Sequence, residues 1–250
     1  MNYYSTNGKA PEASLRKAVV KGLAEDKGLY MPQTIKRLPD SFFENIQNMT
    51  FHEVACAVAD AFFGEDVETE ALHRIVCDTL TFDCPVVKVN DNIYSLELFH
   101  GPTLAFKDVG GRFMARLLQY FTSGEDLNVL VATSGDTGKA ALEGYKNVPH
   151  VKIQVYYPVD GVSRMQKLQM ATQTGDNVDV VAVRGNFDDA QNGVKNIFSS
   201  SEMKKKAENA GYVFSSANSI NWGRLAPQIA YYVSAYCDLV RDGQIAMGDA

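Results

Sequence analysis

Features that would indicate a metal, a membrane or a nucleic-acid partner are missing from this 250-residue sequence. It has four cysteines, none in a C-x-x-C pair or beside histidines set as metal ligands, which favours reduced thiols over zinc or disulfides. No uninterrupted apolar run approaches the roughly 20 residues that a membrane helix needs. The net charge is -6, which argues against a basic surface for nucleic acid. We therefore expect a globular cytoplasmic protein that binds neither nucleic acid nor membrane.

Nucleotide and metalloprotease fingerprints are missing as well. No G-x-G-x-x-G occurs, so a dinucleotide fold would lack its phosphate-binding turn. Residues 133–140 resemble a P-loop but have Thr133 and Ala140 where that loop needs Gly and Ser or Thr. His52-Glu53 lacks the second histidine of the zinc-protease motif, because Cys56 stands in its place.

The pattern of apolar residues changes near residue 90, give or take several residues. Residues 1–90 are predicted to be mainly helical, and in 51–63 apolar residues recur at helical spacing. Residues 86–98 predict two strands around a turn, after which strands alternate with helices. This order predicts an α/β protein in which 91–250 form a parallel sheet with helices on both faces. The predicted elements after the hairpin are helix 113–121, strand 127–133, helix 140–145, strand 151–157, helix 164–172, strand 178–183 and helix 188–199.

A glycine-rich turn, Ser134-Gly135-Asp136-Thr137-Gly138, lies between a predicted strand and a predicted helix. Backbone amides at such a helix N-terminus form anion sites in α/β sheets. Ser, Asp and Thr are also preferred helix caps, so a plain capped turn accounts for the same residues. The spacing alone leaves both interpretations open.

Lys107 ends the unusual segment His100-Gly101-Pro102-Thr103-Leu104-Ala105-Phe106-Lys107-Asp108, which precedes Gly110-Gly111 and a predicted helix. A lysine beside Phe106 and small apolar residues can lose hydration, which lowers its pKa and makes it a carbonyl-reactive amine. We expect Lys107 to be the only lysine in such an apolar setting. A surface lysine ahead of a helix remains the alternative.

Arg224 ends a third segment, Asn218-Ser219-Ile220-Asn221-Trp222-Gly223-Arg224, which contains the only tryptophan. Its guanidinium could hold a phosphate or carboxylate through two parallel hydrogen bonds. Taken alone, the segment is better explained as a capped helix start with a solvent-facing arginine.

Together, the three segments resemble the bacterial and fungal branch of the threonine synthase family. The resemblance runs from Tyr3, Ser5 and Thr6 to the helix after Arg224. It implies fold type II of the pyridoxal-phosphate enzymes, which have two α/β domains with the cofactor, pyridoxal 5'-phosphate, between them.

The resemblance also implies roles for individual residues. Lys107 forms the Schiff base with the cofactor, and the turn from Ser134 through Gly135 and Thr137 to Gly138 binds the substrate carboxylate. Asp136 lies near the cofactor ring oxygen, where related enzymes commonly have Asn. Asn218, Ser219 and Arg224 line the site.

The implied reaction converts O-phospho-L-homoserine and water to L-threonine and phosphate. Members of the family are longer than 250 residues and carry a G-N-F-G loop for the cofactor phosphate, which this sequence lacks. We therefore expect an N-terminal fragment without most of the second cofactor domain, inactive by itself, with the ligands of the cofactor phosphate and pyridine nitrogen beyond Ala250. Another fold type II lyase and a catalytically inactive binding domain are the alternatives. The oligomeric state is not predicted.

Overall fold

The computed structural model describes residues 1–122 and 124–249, so position 250, the end of the second predicted region, lies outside the described residues. No helix among these residues is long and apolar enough to cross a membrane. The helices are α1 Leu15–Lys21, α2 Asp40–Asn45, α3 Phe51–Phe63, α4 Thr69–Thr79, α5 Lys107–Phe121, α6 Asp136–Tyr145, α7 Arg164–Ala171, α8 Phe187–Ser199, α9 Ser201–Asn209, α10 Trp222–Leu225 and α11 Ile229–Arg241. The strands are β1 Tyr3–Ser5, β2 Tyr30–Pro32, β3 Val86–Asn90, β4 Ile93–Leu96, β5 Asp126–Ala132, β6 Val151–Pro158, β7 Val178–Val183 and β8 Tyr212–Ser216.

The part of the chain before β3 contains the helices α1 to α4 and the short strands β1 and β2, in agreement with the predicted fold class. α3 begins at a capping box in which the Thr50 amide donates to the Glu53 carboxylate at 2.7 Å and the Glu53 amide donates to the Thr50 hydroxyl at 3.3 Å. This arrangement satisfies two amides that the helix itself leaves without acceptors. The sequence patterns did not identify the short or polar elements, which are β1, α2, α4, α9 and β8.

The main sheet has the strand order β7-β6-β5-β8, and every neighbouring pair is parallel. Alternate residues of β5 pack on opposite faces: Val129 and Val131 belong to the main core, whereas Leu130 packs with Ala190 and Val194 of α8. Helices therefore cover both faces, as predicted. In the parallel register Leu130 lies opposite Ser216, so the segments that follow β5 and β8 leave the same edge of the sheet.

α5 begins earlier than predicted. Lys107 is its first residue, so Gly110 and Gly111 lie inside the helix rather than ahead of it. Gly110 allows close approach, because a Cβ there would lie 2.5 Å from the carbonyl oxygen of Arg224. Packing thus outweighs the poor helix propensity of glycine here.

One hydrophobic core joins the helical region to the sheet. It includes Val19 of α1, Phe63 of α3, Leu117 of α5 and Ile153 of β6. The phenyl ring of Phe63 stacks on that of Phe113, with centroids 5.4 Å apart. The boundary near residue 90 stays a prediction, since side chains from both sides of it pack together.

We predict opposite effects for alanine at two helical glycines. A Cβ at Gly144 of α6 would lie 2.9 Å from the Gly111 carbonyl oxygen, so Gly144→Ala should force α5 and α6 apart and lower the free energy of unfolding by about 1–3 kcal/mol. At Gly193 of α8, no atom lies within 4 Å of such a Cβ. Gly193→Ala should therefore raise the free energy of unfolding by roughly 0.5–1 kcal/mol. Urea unfolding measures both. A Gly144→Ala protein as stable as the wild type would contradict the close helix contact.

Candidate active site

Lys107 starts α5 with its side chain half-buried, and its Nζ lies 5.2 Å from the centroid of the Phe106 ring. Burial is the main reason that the pKa of Lys107 is lowered. Asp136 acts in the opposite direction, while the positive charges of Arg224 and Lys139 lower the pKa further. A lowered pKa increases the fraction of neutral amine, the form that reacts with carbonyl groups.

Asp108 fixes the loop that leads to Lys107. Its carboxylate is fully buried and accepts hydrogen bonds from the amide of Thr103 at 2.8 Å and from its hydroxyl at 2.5 Å. Burial raises the pKa of Asp108, against the opposing effect of the Thr103 hydrogen bonds. The loop also holds Leu104 at a φ of +58°, a conformation that side chains seldom adopt. The sequence shows that Asp108 follows Lys107, but it does not indicate that Asp108 holds the loop in place.

Thr133 organises the glycine-rich turn after β5. Its buried hydroxyl oxygen accepts hydrogen bonds from the amides of Gly135 and Gly138, both at 2.9 Å. These two amides are therefore not free for a ligand. Within 1–122 and 124–249, the amides of Asp136 and Thr137 have no acceptor, and they lie at the N-terminus of α6.

The carboxylate of Asp136 is held from two sides. Gln166 donates to it at 2.9 Å, and the ammonium of Lys139 lies 3.1 Å away. Burial by itself would raise the pKa of Asp136, but these two partners and the charge of Lys107 outweigh it and lower the pKa. Gly135 has a φ of +136°, which residues with a side chain rarely adopt, so the turn needs glycine there. Gln166 itself was not predicted, because it is 30 residues away in sequence.

Arg224 is 2% exposed, which excludes the solvent-facing alternative. Its Nη1 donates to the Ala217 carbonyl at 2.9 Å, and its Nη2 faces the Thr137 hydroxyl at 3.5 Å. No carboxylate of the described chain lies within 4 Å of the guanidinium. Burial lowers the pKa of Arg224 to about 10, so the group is still charged at neutral pH. A buried charge without a counter-ion is costly, which makes this guanidinium a strong candidate for binding an anion.

Asn218 connects the ends of two strands. Its side-chain amide donates to the Ala132 carbonyl, the last of β5, at 2.9 Å, and its backbone amide donates to the Ser216 hydroxyl at 3.3 Å. Asn218 thus secures the loop between β8 and Arg224, while Ser219 is exposed.

The groups nearest Lys107 carry more positive than negative charge. Lys107 is not the only lysine withdrawn from water, because Lys139 is only 7% exposed and its ammonium lies 3.1 Å from the Asp136 carboxylate. Among the described residues, the charges that shift the pKa of Lys107 are those of Asp136, Arg224 and Lys139, and Lys139 is ion-paired with Asp136. Lys139 follows the glycine-rich turn by one residue, but no sequence pattern distinguished it from a surface lysine.

The geometry agrees with comparisons to known proteins. A family model for the threonine synthase N terminus matches residues 2–80. The threonine synthase of Escherichia coli K12 is 35% identical over 97% of this chain and 55% of its own length. That of Pseudomonas aeruginosa is 37% identical over 96% of this chain and 51% of its own length. The chain therefore spans about half the length of the curated relatives it matches.

Solved structures give the same result. Threonine synthase from Brucella melitensis, with bound pyridoxal phosphate, has a TM-score of 0.85 at 39% identity and covers 96% of this chain and 52% of its own. The Escherichia coli enzyme has a TM-score of 0.86 at 36% identity, with 96% and 54% covered. The chain thus has the architecture of the fold type II pyridoxal-phosphate enzymes, which confirms the predicted fold class. Within that class it matches the N-terminal half of threonine synthases.

We predict that neutralising Asp136 lowers the pKa of Lys107. The negative charge of Asp136 favours the protonated amine, so Asp136→Asn should move the titration of Lys107 to lower pH. Competitive labelling with acetic anhydride across a pH series, followed by peptide mass spectrometry, measures this for one lysine at a time. Exposed Lys9 serves as the internal reference and Asp188→Asn as the control variant. A shift to higher pH would contradict the arrangement of charges.

Proposed function

We propose that this chain provides the cofactor-holding lysine and the anion-binding groups of a threonine synthase, which converts O-phospho-L-homoserine and water to L-threonine and phosphate. The observation that carries the proposal is the buried guanidinium of Arg224, which has no carboxylate partner among the described residues and shares its surroundings with Lys107. A phosphorylated amino acid carries two anionic groups, its phosphate and its carboxylate. These groups complement the excess of positive charge in the site. We assign the reaction to the cytoplasm, the compartment that the cysteine pattern predicts.

The residues present fit pyridoxal 5'-phosphate as the cofactor. Lys107 offers a half-buried amine with a lowered pKa, and the surplus of positive charge around it suits a phosphate ester. When bound, the cofactor withdraws electrons from the α-carbon of an amino acid. Lys107 would hold it through Nζ, and Asp136 would lie near its ring oxygen. Asn218 would help to shape this side of the site.

Lys107 has a second proposed role as the base. When it is not bonded to the cofactor, the neutral Nζ of Lys107 would accept the substrate's α-proton and later return a proton. The lowered pKa suits this task, because a base must be neutral near the working pH. The hydrogen bonds between Thr103 and Asp108 support it by fixing the loop ahead of α5.

Two sets of groups would bind the anionic ends of the substrate. The amides of Asp136 and Thr137 at the start of α6 are suited to the α-carboxylate. Arg224, with the Thr137 hydroxyl beside its Nη2, is suited to the phosphate. Ser134, Gly135 and Gly138 would contribute through the shape of the turn, since the amides of both glycines donate to Thr133.

We predict that Lys107→Ala abolishes the reaction. The complete gene product should lose about a thousandfold or more in the rate of phosphate and threonine release, because one residue both holds the cofactor and moves protons. Borohydride reduction should no longer fix the cofactor to the peptide that contains position 107. Lys167→Ala, at an exposed lysine of α7, is the control. Activity of Lys107→Ala near that of the wild type would refute the proposal, as would fixation at another lysine.

We predict that Arg224→Gln weakens phosphate binding. Loss of a charge-assisted contact should raise the KM for O-phospho-L-homoserine about 10- to 100-fold. The affinity for inorganic phosphate should fall similarly in calorimetry. Thr137→Val tests the same contact while leaving the Arg224–Ala217 hydrogen bond in place, and exposed Arg16→Gln is the control. If both site variants keep wild-type KM and phosphate affinity, the phosphate site lies elsewhere. Turnover of a different phosphorylated amino acid in preference would identify another lyase of the same fold.

A further inference from the structure

A seam of partly buried polar side chains runs along the antiparallel helices α3 and α4. At one end, the His52 imidazole Nε2 lies 2.6 Å from the Leu80 carbonyl oxygen. At the other end, the His73 Nε2 lies 2.8 Å from the Asp60 carboxylate. These two contacts fix the register of the helix pair.

Cys56 and Cys77 lie between the two contacts. Cys56 is four residues from both His52 and Asp60, and Cys77 is four residues from His73. Residues four apart share one face of a helix, so the register directs the two thiols toward each other. Cys77 is close enough to Cys56 to contribute to its raised pKa.

The two thiols differ in accessibility. Cys77 is exposed, whereas Cys56 is half-buried. Burial first, and then the neighbouring Cys77, raises the pKa of Cys56 to about 11. An external reagent therefore meets Cys77 before Cys56. In the described part of the chain, no group of three or more His, Cys, Asp or Glu residues is placed to hold a metal.

We propose that Cys56 and Cys77 form a dithiol site that reacts with small-molecule disulfides and closes to an intrachain disulfide. The thiolate of Cys77 attacks one sulfur of the reagent, which breaks its S–S bond and releases one thiol after protonation. Cys56 then attacks the Cys77 sulfur of this mixed disulfide, and its proton leaves with the second released thiol. The reagent is reduced to two thiols while the cysteine pair is oxidised.

The bond would close a loop of about 20 residues around the connection from α3 to α4. It would restrict the unfolded chain and so raise the melting temperature. In a reducing compartment the dithiol is the resting form, and the disulfide forms only when the ratio of disulfide to thiol rises. The site is independent of the proposed catalytic function, because both cysteines lie outside the groups around Lys107.

The test treats the 250-residue chain with oxidised glutathione, removes the reagent, and measures intact mass, peptide mass and titratable thiols after denaturation. The wild type should lose the mass of two hydrogen atoms and two of its four thiols, with Cys56 and Cys77 joined in one peptide pair. Its melting temperature should rise by about 4 °C or more and return on reduction.

Single variants test the order of attack. Cys56→Ser should stop at one glutathione on Cys77, and Cys77→Ser should stay unmodified at position 56 over the same time. Circular dichroism checks that both are folded. Stable mixed disulfides at Cys77 in the wild type, or cross-links that involve buried Cys84 or Cys237, would overturn the proposal. So would a wild type that keeps four thiols while a reference dithiol is fully oxidised.

Discussion

Arg224 brings a positive charge into a part of the molecule that water scarcely reaches, and the elements around it are arranged to hold that charge. Its guanidinium reaches from the Ala217 carbonyl, just after β8, to Thr137 at the start of α6. Its backbone carbonyl lies so close to α5 that position 110 must be glycine. A buried charge tolerates little displacement, because each lost contact leaves it poorly solvated. The relative positions of α5, α6 and the β8 loop are thus coupled through this side chain.

The electrostatics of the site follow from that constraint. Arg224, Lys139 and Asp136 all act on the pKa of Lys107, and Lys139 is ion-paired with Asp136. Burial lowers the pKa of Lys107, and repulsion by Arg224 and Lys139 lowers it further. The negative charge of Asp136 limits this decrease. The surplus of positive charge therefore has two effects. It lowers the pKa of the Lys107 amine, and it attracts anions.

The supporting contacts come from segments far apart in sequence. Gln166 of α7 positions Asp136, and Asn218 ties the end of β8 to the end of β5. In a parallel sheet, the carboxyl ends of neighbouring strands meet at one edge, so short loops from distant segments converge there. α5 then approaches this edge through glycine contacts with α6.

The sequence by itself determined the type of fold, because the spacing of apolar residues along a helix or strand is a local property. It does not depend on how the elements pack together. α3 was predicted with its observed bounds, and the β3–β4 hairpin and the alternation after β5 were predicted with bounds that differ by some residues. The lysine, the glycine-rich turn and the arginine were also identified, since each lies in a distinctive run of residues. Tertiary structure decided the rest. Whether Arg224 faces water, whether Lys139 is buried, and which amides of the turn remain free depend on contacts between residues tens of positions apart. Short elements such as β1 and β8 were not predicted for the same reason. Their strand conformation depends on pairing with a neighbouring strand rather than on their own sequence.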